Sequence, residues 1–123
     1  MSSQPESTVR RYLDRLVSHD WAGVTECLHP DVVRVGPFAD TYSPRDHYVQ
    51  FLASVMPSLV DYRLTVERLV VDGTVVMVQL SESMDINRAE DVTREVLVFD
   101  TDPDGRITRI EIFIQRAAAP TDR

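Results

Sequence analysis

The order of apolar and polar positions divides the chain into a helical first half and a stranded second half. Val9, Tyr12, Leu13, Leu16 and Val17 recur at the spacing of one helix face, with Pro5 suited to the first turn, and predict a helix over Glu6 to Ser18. Arg10, Arg11, Asp14 and Arg15 fall on its wet side. Asp20 is placed to cap a short second helix through Leu28, with Trp21, Val24 and Leu28 inward, which His29-Pro30-Asp31 stops. Val32 to Val35 reads as a short strand ended by Gly36-Pro37. Ser43-Pro44-Arg45-Asp46 resembles a capping box with proline at the first helical position. The third helix it opens carries Tyr48, Phe51, Leu52, Val55 and Met56 on one face and ends at Pro57.

From Asp61 onward the period changes to two. Leu64 to Val71 and Thr74 to Met84 are joined by Asp72-Gly73, which supplies two positive-φ residues for a type I′ hairpin. A second turn, Ile86 to Asp91, leads into Val92 to Asp100. If that turn is symmetric, Val78 faces Phe99, Leu80 faces Leu97 and Glu82 faces Glu95, all six on one side of the sheet. Gln79, Ser81 and Ser83 take the other side. After the turn Thr101 to Gly105, Arg106 to Gln115 forms the last strand, and Ile110, Ile112 and Ile114 face the same concavity as Leu80 and Leu97.

Two carboxyls roughly 5 Å apart between Cβ atoms, on an apolar surface, cannot both ionise cheaply. Glu82 and Glu95 are therefore expected to hold one proton between them near neutral pH. A register shifted by one residue would instead send a glutamate to solvent. Tyr12 is the one residue of the first buried stripe with a hydroxyl, which either donates to a partner or reaches water at its tip.

Helices followed by a long meander predict an α+β domain, with the N-terminal helices packed in the concave face of a strongly curved antiparallel sheet. The cone so formed encloses an apolar pocket, for which Leu16, Trp21, Phe51, Val55, Val78, Leu80, Leu97, Phe99, Ile110, Ile112 and Ile114 are the expected lining.

At 123 residues the chain is expected to be one domain, with a core over about 6–115 and loose ends at residues 1–4 and 117–123. A net charge of −7 argues against nucleic acid, whose phosphates need a basic surface. No apolar run approaches the length of a membrane span, and the N-terminus lacks the basic and apolar regions of a signal peptide. With Cys27 the single cysteine, a reducing cytoplasm is expected. His19, His29 and His47 stand in separate segments, so no metal is assigned; His47 is either solvated or at a pocket mouth. The chain has no Gly-rich phosphate loop, Gly-x-Ser-x-Gly elbow or Cys-x-x-Cys pair.

The segment Asp20-Trp21 through Leu28-His29-Pro30-Asp31-Val32-Val33, and the ending Phe99-Asp100 with Asp104-Gly105-Arg106-Ile107, resemble the nuclear transport factor 2-like superfamily in its SnoaL-like and ketosteroid isomerase-like branch. The resemblance spans about residues 6–115 and implies a cystatin-like cone. It aligns Tyr12 and Glu95 with the two oxyanion donors of ketosteroid isomerase, a device described in general terms for that enzyme. Gly36, ahead of Pro37, falls where that family has its general base and cannot take a proton. Against the limonene epoxide hydrolase branch, Glu82 matches one catalytic acid, whereas Leu80 and Ile112 stand where that branch has an arginine and a second acid.

Three readings follow. The first is cofactor-independent acid–base chemistry, an isomerisation or cyclisation, on a small apolar carbonyl or polycyclic compound of steroid or polyketide type. Glu82 would be the base, and Tyr12 with protonated Glu95 the oxyanion donors. The second keeps the pocket for a small apolar ligand without turnover. The third is a homodimeric interaction module built on the outer sheet face, including Val96 and Phe113, as the resemblance also implies.

Overall fold

The computed structural model describes residues 3–84 and 92–116. The second turn, 86–91, and the tail, 117–123, lie outside the described residues, as do residues 1 and 2.

Helix α1, Gln4–Val17, starts earlier than its periodicity predicts. The Ser3 hydroxyl accepts from the Glu6 N–H at 3.2 Å, Pro5 occupies the first turn, and the Gln4 side chain donates to the Asp104 carbonyl at 3.0 Å. Its inward stripe is Thr8, Val9, Tyr12, Leu13 and Leu16. Val17, expected inside, is exposed, because the stripe runs out at the last turn.

Helix α2, Trp21–Cys27, is capped as expected by Asp20, whose carboxylate accepts from the Gly23 N–H at 3.0 Å. His29-Pro30-Asp31 does not stand between helix and strand. Leu28 is already the first residue of strand β1, Leu28–Val35, and Pro30 sits in the irregular stretch where β1 leaves its partner's register.

Strand β2, Thr41–Tyr42, precedes α3, Arg45–Val55. Ser43 makes no capping box. Pro44 is the cap residue and the Ser43 hydroxyl instead donates to the Val32 carbonyl at 2.8 Å, tying the helix start to β1. One 3₁₀ turn, Met56–Ser58, follows at Pro57.

The remaining strands are β3, Arg63–Asp72, β4, Val75–Ser83, β5, Val92–Thr101, and β6, Ile107–Gln115. The β3–β4 turn differs from type I′: the loop residues are Gly73 and Thr74, and only Gly73 has positive φ, at 60°. Glycine at the first central position is the type II′ requirement, and the threonine then needs no left-handed backbone.

The six strands lie in the order β2-β1-β6-β5-β4-β3. All neighbours are antiparallel except β1 and β6, which run parallel, so the sheet is mixed and not wholly antiparallel. A bulge between Val66 and Arg68 in β3 adds local twist to the meander. The sheet stays open, with β2 and β3 at its edges.

The helices share one core with the inner sheet face, made of Val9, Tyr12, Leu13, Val24, Leu28, Val32, Tyr48, Val76, Val78, Leu80, Phe99, Ile107 and Ile110. Burying a side chain such as Phe99 or Leu80 contributes about 1.5–3 kcal/mol. Three helices against one face of a curled sheet make the expected α+β cone.

Candidate functional site

The sheet register decides where the two glutamates meet. Val78 pairs with Leu97, Leu80 with Glu95, and Glu82 with Thr93. The expected partners are thus displaced by two residues. A slip of two preserves every side chain's face, so Glu82 and Glu95 remain on the inner side, diagonal to one another instead of opposite.

Glu95 is buried, 6% exposed, and its carboxyl is hydrogen-bonded with that of Glu82. Burial raises its pKa to about 9, the hydrogen bond and charge of Glu82 add to the rise, and Arg34 works against it. At neutral pH Glu95 therefore carries a proton, and the pair accommodates one negative charge. Tyr62, just ahead of β3, donates its phenolic hydrogen to Glu82 Oε2. Burial and then the charge of Glu82 hold the Tyr62 phenol far above the usual range.

Tyr12 does not stand alone. Its hydroxyl lies 2.5 Å from that of Tyr48 on α3, and its ring meets Phe99 edge-on at 5.7 Å. Burial raises the Tyr12 phenol well above its ordinary pKa and the Tyr48 phenol above its own, so both stay protonated. One hydrogen links the two oxygens, and the other remains free to donate.

Arg34 completes the group. On β1 it pairs with Ile110 of β6, an inward position, and its side chain is 12% exposed. Its Nη1 donates to Asp40 Oδ2 at 3.0 Å. The guanidinium carbon sits 5.5 Å from the ring centre of Phe51, 5.6 Å from Tyr42 and 6.0 Å from Tyr48. Desolvation opposes ionisation of Asp40, but its own N–H, that of Phe38 and Arg34 together hold the carboxyl below its ordinary pKa.

These groups surround a cavity of about 160 Å³ lined by Tyr12, Leu16, Arg34, Tyr48, Phe51, Leu52, Val55, Met56, Tyr62, Leu64, Glu82, Glu95, Leu97, Ile110 and Ile112. The structure thus brings together Tyr12, Glu82, Glu95, Leu16, Phe51, Val55, Leu97, Ile110 and Ile112. It does not bring Trp21, Val78, Leu80, Phe99 or Ile114 to this cavity. Val78, Leu80 and Phe99 are sealed beneath the helices, deeper in the cone. Trp21 stacks on His19 at 5.4 Å, and Ile114, opposite Glu95, borders a separate hollow with Gln79, Arg94 and Phe113. That hollow is larger, about 380 Å³, and Glu95 also borders it, but neither Glu82 nor a tyrosine does. His47 is exposed, edge-on to Tyr42 at 5.7 Å. Among the described residues no cluster of histidine, cysteine or carboxylate side chains could hold a metal.

Gly36 has a structural role. A Cβ there would come within 2.5 Å of Arg34 Nη1 and 2.7 Å of Asp40 Cγ. The Arg34–Asp40 pair fills the space through which a side chain at position 36 would have to leave the backbone.

Arg34, Tyr48 and Tyr62 were not among the expected site residues. For Arg34 the signal was alternation: it stands two residues after Val32, so it shares that residue's inward face. Tyr48 lay on the apolar stripe of α3, and Tyr62 just before the first period-two run.

The fold and site place the chain among α+β cones with an acid-bearing interior. A SnoaL-like domain matches residues 9–110, most of the chain, and the protein belongs to the SnoaL-like family. Among solved structures it is similar to a ketosteroid isomerase candidate from Kribbella flavida, with 24% identity and a TM-score of 0.80 over 95% of this chain and 82% of the other. A SnoaL-like polyketide cyclase candidate from Shewanella denitrificans shares 14% identity and a TM-score of 0.78 over 90% of each chain. An LEH-like epoxide hydrolase of M. tuberculosis shares 21% identity and a TM-score of 0.78, over 91% of this chain and 83% of that one. These likenesses establish the nuclear transport factor 2-like, cystatin-like fold. No protein with a curated description matches the chain.

Proposed function

We propose that the cavity performs cofactor-independent acid–base chemistry, of isomerase or cyclase type, on a compact carbonyl compound. The observation that carries this reading is the placement of the buried Glu95 with Glu82 at the wall of an apolar cavity, where burial and the neighbouring carboxyl favour one proton between them. In this mechanism Glu82 takes a proton from the carbon next to a substrate carbonyl. The developing enolate oxygen receives a hydrogen bond from the free donor of the Tyr12–Tyr48 pair, Glu95 keeps its single hydrogen on Glu82 and limits the pair to one negative charge, and the proton returns from Glu82 to another carbon. Tyr62 holds Glu82 in place through one oxygen and leaves acceptor sites on the carboxylate for the transferred proton.

The volume favours the smaller end of the expected ligand range. A cavity of about 160 Å³ is close to the roughly 150 Å³ apolar cavity known to take up benzene. It lies below the roughly 300 Å³ at which pockets for drug-sized ligands begin. A single ring fits such a space better than a steroid or a fused polyketide.

The test is deuterium incorporation beside the carbonyl of cyclohexanone and 2-cyclohexen-1-one in D₂O, followed by NMR. Wild-type protein should accelerate exchange and Glu82→Gln should not. Equal exchange in both would remove Glu82 from the mechanism, and saturable binding without exchange would favour a non-catalytic ligand pocket.

A second reading, a homodimer through the outer sheet face, is favoured by Val70, Met77 and Phe113, exposed at 58%, 48% and 56% on that side. Sedimentation of wild type and Phe113→Glu decides it: a dimer that the variant splits supports the reading, and a monomeric wild type ends it.

A further inference from the structure

Arg34 is the only cationic residue lining the cavity among the described residues. Its Nη1 is committed to Asp40, at the solvent side, where that carboxylate is 41% exposed. Its Nε–H is buried and has no hydrogen-bond acceptor among the described residues. A buried donor without a partner carries a desolvation cost. The position is nevertheless held firmly. Tyr42 and Phe51 stack on each other at 3.9 Å, both lie near the guanidinium, and the missing side chain at Gly36 leaves room for the Asp40 pair.

Besides Arg34 the cavity wall carries leucine, isoleucine and methionine side chains together with the singly charged carboxyl pair. The site therefore combines an apolar bed of single-ring size with one fixed guanidinium whose N–H groups are not all taken up by Asp40. We infer that Arg34 is the specificity residue of this cavity, its guanidinium donating an N–H to a ligand's carbonyl oxygen, so that the ligand class is a compact, ring-sized ketone or aldehyde and not a hydrocarbon.

This rests on the proposed acid–base reading for what happens next, because a carbonyl polarised by Arg34 presents an acidified neighbouring C–H to Glu82. Recognition itself is a separate claim, tested by binding alone. A guanidinium donor to a carbonyl is a hydrogen bond to a charged group, with an effect on affinity of about tenfold or more.

The experiment measures binding of cyclohexanone and of methylenecyclohexane, which has nearly the same shape but no acceptor oxygen, by NMR titration. Wild type should bind the ketone at least about tenfold more tightly. Arg34→Gln and Arg34→Lys should lose that preference while keeping the alkene's affinity, since an ammonium lacks the planar fork. Asp40→Asn, which leaves Arg34 in place, should retain it. Should Arg34→Gln fail to fold by circular dichroism, Arg34→Lys carries the test.

Equal affinity of the two probes in wild type, or a preference that survives in the folded Arg34 variants, overturns the inference, as does failure of both probes to bind. Deuterium exchange that depends on Glu82 but not on Arg34 would overturn this inference alone. An Arg34-dependent preference without any Glu82-dependent exchange would uphold it and overturn the proposed catalysis instead.

Discussion

Replacing Glu95 by glutamine should alter the pH dependence of stability more than stability itself at low pH. Glutamine has nearly the shape of a protonated carboxyl and can still donate to Glu82. In the folded protein Glu95 keeps its proton up to about pH 9, whereas an unperturbed glutamate loses it near 4.5. Between those values the folded state binds more protons than the unfolded one, so stability falls as pH rises through that window. Each pH step costs at most about 1.4 kcal/mol, which between pH 4.5 and pH 7 amounts to roughly 3 kcal/mol for a group as buried as this one. The penalty is absent below about pH 4 and stops growing above about pH 9. Urea unfolding at pH 5, 6, 7 and 8 checks this. Wild type should lose midpoint steadily toward pH 8, and Glu95→Gln should lose much less, so that the variant gains on the wild type by up to several kcal/mol across the series. Parallel curves for the two proteins would mean that Glu95 is not protonated in the folded state, and the shared-proton account would fall.

Other perturbations probe the supports of the site. Tyr62→Phe removes the donor to Glu82 Oε2 and should cost about 1–2 kcal/mol in chemical unfolding; an unchanged midpoint would show that water replaces the phenol freely. Gly36→Ala should destabilise by about 1–3 kcal/mol, because the new methyl group meets the Arg34–Asp40 pair. The same change combined with Asp40→Ala should be milder, and additive losses in a double-mutant cycle would contradict the steric explanation.

The sequence made some of this architecture readable and concealed the rest for physical reasons. Periodicity assigns side chains to faces, and the α1 stripe through Val9, Tyr12, Leu13 and Leu16 and the inward set Val78, Leu80, Leu97 and Phe99 lie where that rule puts them. The glutamates share the inner face because a two-residue slip leaves the pleat unchanged. Register itself depends on loop geometry, and so the facing of Glu82 and Glu95 was not recoverable from the strands' own composition. Which strands become neighbours is a long-range property with no local signature. The parallel pairing of β1 with β6 therefore went unread, and with it the inward place of Arg34 beside Ile110. His29-Pro30-Asp31 carried breaker residues that β1 accommodates by leaving its partner's register between Leu28 and Val33. Tyr48 was visible as an apolar position, but its pairing with Tyr12 joins residues 36 apart in sequence on two helices.

The central claim is a single proton held by two carboxyls inside the cavity, and side-chain carboxyl chemical shifts of ¹³C-labelled glutamate report it directly. With Glu95→Gln and Glu82→Gln used to assign the signals, the Glu95 carboxyl should keep the shift of the protonated acid at pH 7 and titrate near pH 9. A Glu95 signal already in the carboxylate position at pH 6 would contradict the account.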